Sequence, residues 1–501
     1  MNVSHLLHTL LHLRPQQVFY QLFYRLHKPQ YKTFETPEGV VPELQTEPIP
    51  RCHCLDDKTF TFLNLSHEFS SWDFNEYGNL WTYNQNYFDW LNQEGMTSDE
   101  GCQWIDLFIF RLSTLASRLL TLNSQPSLDP YPIALRSINW IKFFCQHPEC
   151  ATKPRLDSLY SQIKLLERKL EYHLLGNHLL EDAYALYMAA AFFQDLLLQK
   201  KATKLLMAQL KEQTLSDGAH YEQSPMYHCI LLDRLLDCIN IAPNDELKVF
   251  AKKQIGWLKS ICYQDGSFPL FNDAAYGIAQ FPKDIIDYAQ RLGIESDATP
   301  LGDSGYRKLS NNKMEAIVDV GNITASYQPG HTHADTLNYE LRIGGRPVVV
   351  DTGISTYNKN ERRQMERSTI AHNCVSPDGL NSSEVWGGFR VGKRAKVSGE
   401  RLTVSGERMV IEAMHNGFGN PCRRRFEMAK NKFIVEDWFD GEATSYVHLA
   451  ESVDVNRLTV SGDGLIDIQT KPWQYSTEYN RFHNGTVLAI NFSGHICVTF
   501  R

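Results

Sequence analysis

The sequence predicts a two-domain α+β chain: helices to about residue 305, then an antiparallel β-sandwich over residues 306–501. Three observations carry this. The chain has 501 residues, more than the ~250–300 at which one hydrophobic core stops growing, so two domains are expected. From about residue 100 to 300 apolar side chains recur at a spacing near 3.6, the period of a helix with a buried face. After Asp303-Ser304-Gly305-Tyr306 short β-rich runs alternate with Gly, Asn, Asp and Ser turns.

Taken in order, residues 1–60 read as an irregular N-terminal segment holding one short aromatic helix, Val18–Leu26. That helix carries few cations, so it is expected to pack on the body of the protein rather than on a membrane. Helices then follow at Trp104–Leu112, Ile133–Phe144, Leu156–Leu175, Leu179–Leu198, Ala202–Leu210, Cys229–Ile241 and Leu247–Tyr263. Paired helices with short connections build a bundle, an α-solenoid or a closed toroid. Strands are expected at Ala316–Val320, Leu337–Ile343, Pro347–Val350, Met409–Ala413, Lys432–Phe439, Tyr446–Ala450 and Thr486–Phe492. Nearly two hundred residues of this kind suggest two packed antiparallel layers.

Composition removes some classes of function. Hydrophobic and charged fractions of 43% and 22% are those of an ordered, water-soluble chain. A formal charge of −8 argues against broad binding to nucleic acid or anionic membranes, so a polyanionic ligand needs a local basic cleft. Eleven scattered cysteines without CxxC pairs fit reduced thiols. The first apolar run lacks a basic start and is broken by His5, His8 and His12, unlike a signal peptide; no stretch of 18 apolar residues follows, so no membrane span is expected. Cytoplasmic is the default location and periplasmic the alternative.

Chemistry concentrates in a few stretches. In Gly330-His331-Thr332-His333-Ala334-Asp335, an extended backbone puts His331, His333 and Asp335 on one face. With the carboxylate of Val350-Asp351-Thr352 and the imidazole of Ala371-His372-Asn373, such a wall suits a borderline metal such as zinc; alternate histidines are also often just partners of carboxylates or backbone. Gly176-Asn177-His178 reads first as a helix stop and cap. Asp217–His228 is rich in Tyr and His at a helix start, where a phenol is available for proton transfer. Asp265–Asp273 reads as a turn. Arg362, Arg363, Arg367, Arg390, Lys393 and Arg394 surround Trp386; such clusters are usually solvated faces, and here they also suit an anionic sugar.

Together these motifs resemble the heparinase II/III family of polysaccharide lyases, related to the toroid alginate lyases. The likeness runs from about residue 100 to 450, with His-Thr-His-Ala-Asp and Ala-His-Asn the most specific segments; a softer likeness, at Leu13-Arg14-Pro15 and Tyr24-Arg25-Leu26, is to members from exopolysaccharide gene sets. The resemblance implies an N-terminal (α/α) helical toroid followed by a C-terminal antiparallel β-sandwich, with an acidic polysaccharide bound between them. It implies β-elimination at a uronic acid, in which the carboxylate must be neutralised before the C5 proton leaves. By resemblance Asn177, with His178 beside it, holds the carboxyl; Tyr227, with Tyr221 as rival, is the general acid; and His331 is the second proton-transfer group. Tyr221, Glu222, Arg367, Trp386 and Arg390 contact substrate. His333, Asp351 and His372 bind a structural zinc, with Cys374 a nearby complication. Two other readings remain: a binding protein of exopolysaccharide or capsule assembly without turnover, and a toroid glycoside hydrolase using paired carboxylates.

Overall fold

A computed structural model describes residues 3–37, 41–117, 125–451, 453–455 and 458–501. It opens with two helices, Val3–Leu10 and Pro15–Leu26, the second longer than the expected Val18–Leu26 because Pro15 sits in its first turn, where a missing N–H costs nothing. From His27 to Cys54 the described residues are irregular and are tied down by hydrogen bonds such as Thr36 N to Asp157 Oδ1 at 2.7 Å. The connector then ends in a small unexpected sheet of Leu55–Asp56, Thr59–Phe62 and Leu65–Glu68. Its buried Phe60 and Phe62 pack on Trp90, Trp104 and Trp81.

The helices that follow are Asn79–Tyr87, Ser98–Ser117, Pro130–Gln146, Lys153–Leu166, Gly176–Phe192, Leu196–Gln213, Pro225–Ile241, Asp245–Ile261 and Pro282–Arg291. They form the (α/α) toroid. Gly176–Phe192 lies at its centre and packs on Pro130–Gln146, Leu196–Gln213 and Pro225–Ile241. This helix is buried all round, and Ala183, Ala185, Ala189 and Ala190 let its neighbours approach. The continuous helix expected over Leu179–Leu198 is broken: Gln194 turns to φ 53° and Asp195 caps the next helix by accepting from Leu198 N at 3.0 Å. The helix expected over Leu156–Leu175 stops at Leu166, before the turns that set up Gly176.

The first strand of the C-terminal half is Tyr306–Ser310. Twelve strands there join one antiparallel network. The expected strands Lys432–Phe439 and Tyr446–Ala450 are a single one, Lys432–Leu449, paired with Asn420–Ala429 on one side and Arg481–Phe500 on the other. Its end also pairs with Arg346–Val349, which leads on through Tyr339–Ile343 and Met314–Asp319 to Tyr306–Ser310. The network folds over itself into two layers: the ring of Tyr339 meets Phe426, Phe433 and Phe500, which belong to strands that are not its hydrogen-bonded neighbours. Leu341, Val435, Ile490, Val498 and their neighbours fill the space between.

The turn 263–273 joins the halves. Glu340, on the strand Tyr339–Ile343, accepts from Tyr263 Oη and from Leu270 N, both at 2.9 Å, and Arg342 lies over the Tyr263 ring with Asp265 as its ion partner. Burial is the largest influence on the Glu340 carboxyl and, with Asp351 nearby, pushes it up to about 7 from 4.5. A carboxyl raised on folding gives stability that is complete below its unfolded value and is lost as pH rises through the folded one. Wild type is therefore expected to lose roughly 2–3 kcal/mol from this group between pH 4.5 and 7. Melting of Glu340→Gln should fall less over that window than melting of wild type; parallel curves would contradict the assignment.

Candidate active site

Four segments converge beside the helix Gly176–Phe192. Its entry is unusual: Leu175 at φ 64° and Gly176 at φ 63° swing the chain in, so Leu175 is the cap and Asn177 is released from the capping role the sequence suggests. Asn177 turns instead to Glu222. Its backbone N donates to Glu222 Oε1 at 2.8 Å and its Nδ2 to Glu222 Oε2 at 2.9 Å. Only glycine fits at 176, since a Cβ there would stand 2.5 Å from Glu222 Oε1.

The same Asn177 Nδ2 lies 3.3 Å from His331 Nε2. His331 sits in a loop rather than on an extended backbone, yet its imidazole and that of His333 still reach one group: Asp273, whose Oδ2 is 2.9 Å from His331 Nδ1 and whose Oδ1 is 2.8 Å from His333 Nε2. The loop is held by its backbone. His331 O accepts from Asp273 N, His333 N donates to Asn272 Oδ1, and Thr332 O accepts from Arg367. Tyr227 stands in the first turn of Pro225–Ile241, after the cap Ser224, whose hydroxyl donates to Asp273 O at 2.6 Å. Its ring lies 3.9 Å from that of His331, centroid to centroid. Asn177, Tyr227 and His331 thus flank a single point.

Charge is arranged around Asp273, which is fully buried. Burial works against its ionisation, but the Arg363 guanidinium, bonded to both its oxygens, and the two histidines outweigh this and hold it well below the usual carboxylate range. An ionised Asp273 accepts Nδ1–H of His331, which leaves Nε2 as the basic nitrogen facing Asn177 and Glu222. Burial raises the Tyr227 phenol, so it stays protonated at neutral pH. Tyr357, which sequence reading missed, bridges the pair: its hydroxyl is 3.3 Å from Tyr227 Oη and 3.3 Å from His331 Nδ1. Asp273 was legible only as a turn residue, and nothing near Tyr357 in the chain marks it.

Other sequence-predicted residues take different roles. His178 points to Glu171, 3.0 Å away, and packs on Tyr131; burial lowers its pKa but Glu171 raises it more. Glu222 positions Asn177 rather than standing free for a ligand. Tyr221 is buried and accepts from Tyr327 Oη at 3.0 Å. Arg367 is fully buried and braces the histidine loop, which corrects its reading as a sugar contact. Trp386 donates to Thr9 Oγ1 at 3.1 Å, and the exposed Arg390 lies over its ring, so a helix of this chain already engages the predicted platform.

The predicted zinc ligands are neighbours. His372 Nδ1 is 2.8 Å from Asp351 Oδ2, and the rings of His333 and His372 are 5.2 Å apart. As placed they pair with one another and with Asp273: among the described residues no group of three or more His, Cys, Asp or Glu side chains is arranged to hold a metal ion. Their donor chemistry nevertheless suits one, since His333 Nδ1 and His372 Nε2 are buried without a hydrogen-bond partner. Cys374 is not a rival ligand here; burial pushes its thiol well up, and it donates to Thr336 O.

A toroid joined to a two-layer sheet, with an Asn–Tyr–His cluster at the seam, defines the class of protein. Two family models match it: "Heparinase II/III N-terminus" over residues 155–290 and "Heparinase II/III-like, C-terminal" over residues 294–490. The chain belongs to the heparinase II/III family. It is 24% identical over 345 residues to a heparin-sulfate lyase of Pedobacter heparinus, covering 61% of this chain and 49% of that one. A heparin-sulfate lyase of Bacteroides stercoris is 24% identical over 253 residues, 43% of this chain and 37% of that one. The matched regions span half or less of these curated relatives. A crystal structure of heparinase III shares the fold, with a TM-score of 0.64 at 15% identity over 89% of this chain and 80% of that one.

Two substitutions test the architecture. Arg363→Ala leaves Asp273 buried without its strongest counter-charge and should cost about 3–5 kcal/mol in denaturant unfolding, whereas Arg363→Lys should restore part of it. Gly176→Ala should destabilise through both the left-handed backbone and the clash with Glu222; unchanged melting would contradict the close approach.

Proposed function

We propose that this protein is a polysaccharide lyase that cleaves a uronic-acid-containing acidic polysaccharide by β-elimination, giving a 4,5-unsaturated uronyl product. The observation that carries the reading is the convergence of Asn177, Tyr227 and His331 within one sugar's reach. Family membership and the heparin-sulfate lyase relatives support it.

In this mechanism the Asn177 amide, aimed by Glu222, hydrogen-bonds the uronate carboxyl and stabilises the charge that develops as C5 loses its proton. His331 Nε2 takes that proton, and Asp273 holds the imidazole in the tautomer that leaves Nε2 free. The C5–H electron pair becomes the C4–C5 double bond, the C4–O bond breaks, and the Tyr227 phenol gives its proton to the leaving oxygen. Solvent exchange resets both groups. The hydrolase alternative is disfavoured because Glu222 and Asp273, the carboxylates of the cluster, are buried and spent on Asn177, the histidines and Arg363. His333, Asp351 and His372 would hold a structural zinc, a reading supported by the unpartnered His333 Nδ1 and His372 Nε2; the metal would brace the sheet side of the site, and no step runs through it. Eleven unpaired cysteines favour a reducing compartment such as the cytoplasm.

Incubation with heparan-type, alginate-type and other uronate polymers should give a product absorbing at the ultraviolet edge, which hydrolysis or mere binding does not. Tyr227→Phe should lower that rate by at least about 10²-fold with melting preserved; full activity in this variant would overturn the assignment of the acid. Metal analysis of purified wild type should find zinc near one per chain and His372→Ala should lose it; metal-free wild type would remove the zinc.

A further inference from the structure

The two N-terminal helices are amphipathic in the reverse sense from helices that stabilise a fold. Their inward contacts are polar and aromatic: Gln17, buried, donates to Leu174 O and Tyr327 O, Tyr24 Oη to Leu170 O, Arg14 pairs with Glu212, and the Tyr20 ring stacks on Tyr172. On the sheet side His8 meets Glu384 and Thr9 meets Trp386. Several of their large apolar side chains face out instead. Leu7 and Leu10 on the first helix are 56% and 49% exposed, Leu11 in the turn after it 81%, and Phe19, Leu22 and Leu26 on the second are 59%, 54% and 82% exposed. Val18, Leu22 and Leu26 follow one another at i, i+4 and i+8, a single stripe. No other stretch of similar length among the described residues exposes as many large apolar side chains.

The charge of this segment is also at odds with the rest. In a chain of net charge −8, the first 34 residues contain Arg14, Arg25, Lys28, Lys32 and four histidines but no Asp or Glu. Arg25, Lys28 and Lys32 are exposed. The helix Val18–Leu26 holds one cation, Arg25, which is why its sequence alone sets it on the body of the protein. Lys28 and Lys32 follow it, however, and its apolar stripe is uncovered, which supplies what an interfacial helix needs: apolar side chains for the acyl boundary and positive charge for anionic headgroups. A second copy of the chain fits worse, because symmetric pairing would press two acid-free cationic faces together.

We propose that residues 3–32 form a docking surface for an anionic lipid bilayer, laying the protein on a membrane without spanning it. Full-length protein should co-sediment with vesicles of three parts phosphatidylcholine to one part phosphatidylglycerol and much less with pure phosphatidylcholine, and salt should weaken the binding. Phe19→Asp combined with Leu22→Asp and Leu26→Asp should lower partition at least tenfold, as should Arg25→Gln with Lys28→Gln and Lys32→Gln, with melting unchanged in both. Absence of vesicle binding, binding indifferent to both sets of substitutions, or a wild-type dimer in light scattering that the aspartate variant makes monomeric would overturn the proposal.

Discussion

The site depends on one buried carboxylate. Asp273 belongs to the turn 263–273 of the helical half, yet every side chain that bonds its carboxyl group, His331, His333 and Arg363, comes from the β half. The same anion therefore sets the tautomer of His331, orients His333 and holds the helical and sheet halves in register. Such a group is tolerated without water only because a guanidinium satisfies both its oxygens. Contacts at a seam between two halves usually permit hinging; here separation would strand a charge on each side, which opposes it.

Fold class was legible because burial writes its period into sequence. The alanine-rich helix Gly176–Phe192 and the alternating strands around Ile411 and Phe433 lie in cores that tolerate little else. The errors fall where local signals oppose the pattern. Leu179–Leu198 reads as one helix until Asp195 is seen as a cap, and two strands read as separate because Asp440-Gly441 looks like a turn, whereas Lys432–Leu449 absorbs it at an irregularity in the pairing. An extended backbone would give His331 and His333 a shared direction from spacing alone, but a loop braced by Arg367 achieves it through tertiary bonds.

At the site, the residues announced by motif, Asn177, Tyr227 and His331, do meet. Their support was harder to see. Asp273, Tyr357 and Arg363 lie 58, 26 and 32 positions from His331 in the chain, and a partner's role is written only in space. Arginine was the most misleading residue type: Arg363 and Arg367 look like anion receptors in sequence, yet both are buried and spent internally, one on a carboxylate and one on a carbonyl. Composition gives the number of cations but not which of them water reaches.

Glu340 carries a practical consequence. It ties the sheet to the turn that bears Asp273, and it does so best while it holds its proton. Any signal of this protein that declines as pH rises through neutrality will therefore carry a contribution from loosening of the scaffold. Thermal melts at matching acidity are what measure that contribution.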